Sequence, residues 1–256
     1  MSKQIQWFPG HMSKTLREFE EISSKVDVYF ILVDARAPKS SYIDSFDDII
    51  KNKKVIVILT KADLVKEKEL KKWIDHYKEK FGHAYAMSLT NKKQIRKQII
   101  NILDQIKFKK LLPKFSIIGA PNVGKSTLLN VMAEGNKAIA EDRAGVTKKN
   151  AWFQFNNRYW IMDTPGVLQP KFQDEEQGLK LAIIGSIKID ILPIQEVTIR
   201  MFELLKEVDA NIPYKGNIEE QLFIEEEESK LQTQEFYKRK IKDFQQNKYG
   251  KVILDR

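Results

Sequence analysis

The 256-residue sequence contains no cysteine. That absence removes disulfide frameworks, thiolate metal sites and cysteine nucleophiles together, so any catalysis must use oxygen, nitrogen or metal chemistry. Histidine is scarce, with three residues, of which His76 and His83 read as ordinary surface positions. No apolar run approaches the roughly 18 uncharged residues a membrane span requires. The opening MSKQIQWFPGHM lacks the apolar stretch of a secretory signal, so the expected compartment is the cytoplasm with no membrane partner. There is no internal repeat and no low-complexity tract. From Phe172 to Arg256 there are no paired carboxylates, metal-binding histidines or cofactor loop, so no second catalytic centre is expected there.

What is present is a chain able to bury a full core, 42% hydrophobic and 31% charged, sized for one large domain or two modest ones. Lys and Arg total 44 against 35 Asp and Glu, a formal charge of +9. Such an excess favours a polyanionic partner, because Lys and Arg neutralise phosphates and release counterions; solubility alone is the plainer explanation. From Val26 to Ala120, short apolar runs alternate with charged helix-like stretches, the pattern of βαβ units around a mainly parallel sheet. Strands are expected in VDVYFILVDAR, KVIVILTKAD, HAYAMSL and KFSIIGA, and on either side of Asn156-Asn157, a pair suited to a tight hairpin. After Pro170 the pattern becomes longer amphipathic segments, roughly 174–188, 194–208 and 229–247, with a further strand expected only at the terminal KVIL. Tyr237, Ile241 and Phe244 line one apolar stripe there, while Glu225–Glu228 and Lys238–Lys242 read as solvated helix faces.

The strongest local signal is GAPNVGKS, Gly119 to Ser126, set between a strand and a helix. It matches the phosphate-binding loop GxxxxGKS, in which glycines let backbone amides face phosphate oxygens. Asn122, Val123, Gly124, Lys125, Ser126 and Thr127 form the nucleotide-facing run. Lys125 is expected to reach the β and γ phosphates, Ser126 to ligate Mg²⁺, and the helix N-terminus to add its partial positive charge. About forty residues on, Asp163-Thr164-Pro165-Gly166 supplies a Mg²⁺-side carboxylate in Asp163 and a γ-phosphate-sensing glycine in Gly166. Between them, Thr147 of RAGVTKK is the natural switch threonine for Mg²⁺.

The base is addressed by TKAD, Thr60 to Asp63. Guanine carries a ring N1–H and an exocyclic amine; a carboxylate accepting from both separates it from adenine, which offers no such pair. Asp63 is that carboxylate, the Lys61 stem covers the base face, Ala62 spaces the two, and Thr60 replaces the commoner Asn. Ser88 and Leu89, ending the next strand, sit where a backbone amide could contact the guanine O6. Many GTPases orient water with a glutamine after the DxxG glycine; Val167 stands there instead and cannot do so.

The motifs run in the order TKAD, MSL, GAPNVGKS, GVT, DTPG, so the chain resembles the circularly permuted GTPases. IQWFPGHM, DARAP at Asp34–Pro38 and DTPGVLQPKF narrow the resemblance to the ribosome biogenesis GTPase A (RbgA/YlqF) family, from about Ile5 to Ile187, beyond which the C-terminal part looks abbreviated. The resemblance implies an α/β P-loop GTPase fold, circularly permuted, with a mainly parallel six-stranded sheet in residues 1–171. It also implies a small helical, RNA- or ribosome-binding domain in 172–256. It implies GTP and GDP as ligands and a precursor of the large ribosomal subunit, with its RNA and proteins, as partner. Hydrolysis would be slow alone and faster on the particle, and a monomer is favoured. His11 matches the family's WFPGHM histidine, as general base or water positioner, or else as a residue packing beside the first helix. Asn122 matches a residue that helps ligate K⁺ in potassium-stimulated GTPases, or else ties the loop through side-chain bonds. Two other functions stay open: a GTP-dependent switch on another RNA such as tRNA, and a hydrolysis-poor nucleotide-switched scaffold. The basic KFKKLLPK, Lys107–Lys114, reads as the linker closing the old termini, either a solvated connector or an RNA contact.

Overall fold

VYFILVD folds as strand β1 (Val28–Asp34) with every residue buried, as a parallel strand covered on both faces must be. In the computed structural model, which describes residues 23–133, 138–139, 152–162, 174–189 and 192–255, it is joined by six others. These are β2 (Lys54–Thr60), β3 (Ala84–Met87), β4 (Lys114–Gly119), β5 (Ala138–Ile139), β6 (Trp152–Phe155) and β7 (Tyr159–Met162). They form one sheet in the order β3-β2-β1-β4-β7-β6-β5. The pairs β3–β2, β2–β1, β1–β4 and β4–β7 are parallel, while β7–β6 and β6–β5 are antiparallel. The six strands read from sequence are all there; the two-residue β5 is an addition at the edge. Asn156 and Asn157 turn the β6–β7 hairpin, both at positive φ (51° and 53°), the conformation a type I′ turn requires.

The chain runs outward from β1 to β2 and β3, then returns to place β4 on the other side of β1. That reversal is a topological switch point, and ligands of open α/β sheets bind outside the strand C-termini at such a point. Helices α1 (Glu67–Phe81), α2 (Lys92–Asp104) and α3 (Lys125–Ala133) connect and cover these strands. Asn91 caps α2 by accepting from the Gln94 amide, which satisfies an otherwise orphaned donor.

Beyond the sheet lie α4 (Glu175–Ile183), α5 (Ile194–Glu207), α6 (Ile218–Ser229) and α7 (Thr233–Gln245). Three match the amphipathic segments in the sequence. The fourth, α6, was not legible: its apolar residues do not repeat on one face, and while Ile218 and Leu222 are buried, Phe223 and Ile224 stay exposed. It is tied to its neighbours by polar contacts. Glu225 accepts from the Tyr214 hydroxyl at 2.6 Å and from Lys240, and Glu226 accepts from the Tyr237 hydroxyl at 2.9 Å. The acidic patch is therefore partly structural. Phe202 centres this region, edge-on to Tyr214 and Tyr249, and the Tyr237, Ile241, Phe244 stripe is buried as expected. The terminal KVIL is not a strand. Val252, Ile253 and Leu254 are buried coil, held where the Leu254 amide donates to the Arg36 carbonyl at 2.7 Å.

Candidate nucleotide-binding site

The phosphate loop leaves β4 at Gly119, whose φ is +152° and whose missing side chain matters: a Cβ there would lie 2.4 Å from the Leu32 carbonyl oxygen of β1. At Gly124, φ is +103° and a Cβ would meet Leu89 Cδ1 at 2.4 Å. Only glycine satisfies both constraints. Lys125 is buried in the first turn of α3, its Nζ donating to the Ala120 carbonyl at 2.5 Å, so the ammonium is folded back over the loop. Ser126 and Thr127 are exposed at the same helix N-terminus, where the backbone amides favour an anion.

The base-reading motif adjoins this loop. Thr60 ends β2, fully buried, and its Oγ1 lies 2.7 Å from the Val123 carbonyl and 3.0 Å from the Val33 carbonyl. A hydroxyl carries one donor proton; placed between two acceptors, it ties the phosphate loop to the motif's own strand pair. Lys61 follows in the left-handed region at φ 55°, an uncommon conformation for a residue with a Cβ. The turn Ala62–Leu64 then presents Asp63, exposed. Just past the neighbouring strand β3, Leu89 packs on Gly124, and the Ser88 hydroxyl pairs with that of Thr90 at 3.1 Å. The sequence-separated pieces TKAD, MSL and GAPNVGKS thus meet beside the switch point.

A charged hub beneath the crevice was not assigned a role from sequence. Asp34, the fully buried last residue of β1, accepts from Arg36 Nε (2.9 Å) and Nη2 (2.7 Å), from the Arg36 amide (3.0 Å) and from Lys61 Nζ (2.7 Å). Burial pushes the Asp34 carboxyl up, but the Arg36 and Lys61 cations outweigh it and hold the group below its usual range. Burial, assisted by Arg36 repulsion, lowers the Lys61 ammonium despite its carboxylate partner. Arg36 and Lys61 thus hold Asp34 together, Arg36 on both carboxylate oxygens and Lys61 on Oδ2. A signal was available, since a carboxylate ending an otherwise apolar strand sits where such sheets place ligands.

Two contacts lead from this hub to the helices. Arg36 Nη2 donates to the Ile184 carbonyl at 2.9 Å, and Asn122 Nδ2 donates to the Gly185 carbonyl at 2.8 Å, both just past the end of α4. Asn122, at φ 59°, therefore ties the loop through a side-chain bond, one of the alternatives open from sequence, and keeps an amide oxygen suited to a hard cation. Asp255 reinforces the seam by accepting from the Ser40 amide (2.8 Å), the Ser40 hydroxyl (2.6 Å) and Lys180 (3.1 Å).

His11, Thr147, Asp163 and Gly166 lie outside the described residues. Among the described residues no three His, Asp or Glu side chains gather as a metal site, and no helix is long and apolar enough to cross a membrane. The donor set at the loop still fits Mg²⁺ arriving with a nucleotide: the exposed Ser126 hydroxyl, next to an ammonium and a helix N-terminus that hold phosphates.

A phosphate loop and a guanine-reading motif at a switch point, with the reader preceding the loop in the chain, define a circularly permuted P-loop GTPase. The comparisons agree. The family model described as "50S ribosome-binding GTPase" matches residues 114–226, beginning at β4 and leaving the reader outside, as permutation requires. The chain is 41% identical over 213 residues to "Ribosome biogenesis GTPase A" of Priestia megaterium, covering 78% of this chain and 74% of that protein. It is similar to the structure titled GDP-bound TM YlqF (TM-score 0.74, 25% identity, 94% and 99% of the two chains). It is equally similar to GNP-bound YlqF from T. maritima (TM-score 0.73, 25% identity, 95% and 98%). The chain belongs to the ribosome biogenesis GTPase A family.

Proposed function

We propose that this protein binds GTP and GDP at the C-terminal edge of its sheet and hydrolyses GTP with Mg²⁺ while acting in late assembly of the large ribosomal subunit. The observation that carries this is the Thr60 hydroxyl on the Val123 carbonyl, which draws the guanine reader and the phosphate loop into one site. Lys125 holds the β and γ phosphates; Ser126, Thr147 and Asp163 share the metal; Gly166 senses the γ-phosphate. Val167 cannot orient water, so His11 supplies that function when the ribosomal partner fixes the N-terminal segment. A K⁺ ion on the Asn122 oxygen would add positive charge near the phosphates.

In this scheme residues 1–171 form the GTPase unit and 172–256 the helical unit that meets ribosomal RNA or protein. The protein works as a cytoplasmic monomer. The bonds from Arg36 and Asn122 to Ile184 and Gly185 give nucleotide state a route to the helices. GTP turnover of wild type and His11→Ala, with and without purified large subunits, in potassium and in sodium, tests the proposal. Stimulation by subunits that vanishes in His11→Ala while GTP binding persists is expected. A flat rate under every condition would leave a hydrolysis-poor switch or a different RNA partner.

A further inference from the structure

The opposite edge of the sheet, where β1, β2 and β4 begin, carries a groove of about 650 Å³. Five lysines line it, Lys53, Lys54, Lys107, Lys109 and Lys110, against one carboxylate, Asp27. Two of them are fixed in its wall by neutral acceptors. Lys53 Nζ donates to the Ser23 and Val26 carbonyls at 2.7 and 2.8 Å, and Lys54 Nζ donates to the Lys107 carbonyl at 2.8 Å while lying 5.7 Å over the Phe108 ring. Neutral partners orient an ammonium without cancelling its charge. Lys110 meets the groove's carboxylate, Asp27, at 2.7 Å, and it stays 65% exposed. Phe108 is itself clamped edge-on by Phe115 and Tyr159, so the groove is a held shape rather than a loose loop.

Five ammonium groups converging on one groove against a single carboxylate repel one another, a cost that a polyanion seated there would relieve. We infer that this groove is a docking surface for the phosphate backbone of RNA. Ammonium groups meet phosphates as point charges that position a backbone, so binding there is chiefly electrostatic, only weakly dependent on sequence, and salt-sensitive. Its placement suits the rest of the molecule. The seven-residue β1 spans about 23 Å at strand rise, so an RNA held here leaves the nucleotide crevice open. Three of the lysines lie on the connection from α2 to β4, and β4 ends in the phosphate loop. The connection that permutation created thus carries a contact of its own.

The surface serves the ribosome-assembly role proposed above and depends on it. The test measures fluorescence anisotropy of a labelled large-subunit ribosomal RNA fragment across a salt series. Wild type is compared with a triple variant, Lys107→Gln, Lys109→Gln and Lys110→Gln, and with a charge-matched control on α1, Lys68→Gln, Lys71→Gln and Lys78→Gln. Affinity for GTP is followed in parallel to report folding. The groove variant should bind RNA about tenfold more weakly near 0.1 M salt, with the log–log salt slope reduced by about two to three, and bind GTP normally. The control should track wild type. If groove and control variants lose affinity equally, net charge and not the groove carries the binding, and the assignment falls. If wild type binds RNA but the groove variant matches it, the assignment also falls while the assembly role stands. In that case Leu111, 93% exposed beside the groove, becomes the contact to test against ribosomal protein. If wild type binds neither the RNA nor ribosomal particles, the assembly role fails and the groove assignment with it.

Discussion

Thr60 and Arg36 stand at the ends of adjacent strands, Thr60 paired in register with Asp34, and each bridges to a distant part of the chain by a different kind of bond. Thr60 joins two pieces of the nucleotide site with one neutral, fully buried hydroxyl. Arg36 joins the site to the helices with a guanidinium shared between Asp34 and the Ile184 carbonyl, while its own carbonyl receives Leu254. The first seam depends only on register and loop shape, so it is as rigid as the sheet. The second depends on a charge balance among Arg36, Asp34 and Lys61, the last of which belongs to the TKAD motif. The first seam lies within the sheet and its loop, and the second joins the sheet to the end of α4.

The largest expected effect comes from removing the charged seam. Arg36→Met keeps the bulk but leaves the buried Asp34 with the Lys61 cation and the backbone amide of residue 36, and strips the Ile184 carbonyl of its donor. Breaking a buried pair from one side costs about 3–5 kcal/mol, to be read from urea unfolding. The pH dependence fixes the sign. Because the folded Asp34 carboxyl sits below its ordinary range, its contribution is complete above about pH 4 and is lost as pH falls through the folded value. The gap between wild type and Arg36→Met should therefore be widest near neutrality and shrink in acid.

Gly124→Ala attacks the rigid seam. It forces a Cβ at φ +103° to within 2.4 Å of Leu89, and strain of about 1–3 kcal/mol placed in the loop should lower GTP affinity by roughly ten- to a hundredfold. Thr60→Val is milder. Losing one buried hydrogen bond and leaving the Val123 carbonyl unpaired costs about 1–2 kcal/mol, with GTP affinity falling several-fold and Thr60→Ser restoring most of it. The smallest effect is expected for Asn122→Ala, whose bond to Gly185 is solvent-exposed. Stability should change by about 1 kcal/mol, from the lost exposed bond together with an alanine held at φ 59°, while hydrogen exchange at the end of α4 should lose its response to added GTP. Equal responses in Thr60→Val and Asn122→Ala would erase the distinction between the two seams.

Much of this architecture is legible in the sequence because its signals are local. The run from β4 through the loop to α3 declares itself by an apolar strand, spaced glycines and a helix start, all within about twenty residues. Asn156 and Asn157 announce their hairpin by the same kind of short-range chemistry. The hub is different. Arg36 and Ile184 are 148 residues apart and Asn122 and Gly185 are 63 apart, and no periodicity encodes such a meeting. Helix α6 was hidden for another reason: IEEQLFIEEEES carries no single apolar face, and Tyr214, Tyr237 and Lys240 hold it from outside. KVIL, rich in β-formers, is used as buried coil because the Leu254 amide bonds to Arg36 rather than to a sheet edge.

A base reader that precedes the phosphate loop in sequence adjoins it in space through Thr60 and Val123, and Asp63 is expected to read guanine there. Asp63→Asn tests this most directly, by nucleotide affinity measured with GTP and with xanthosine triphosphate. Xanthine has a carbonyl where guanine has its amine, so the side-chain amide introduced by Asp63→Asn could donate to it where a carboxylate cannot. GTP affinity is expected to fall by about two orders of magnitude or more while xanthosine triphosphate binding rises. GTP affinity left unchanged by Asp63→Asn would contradict it.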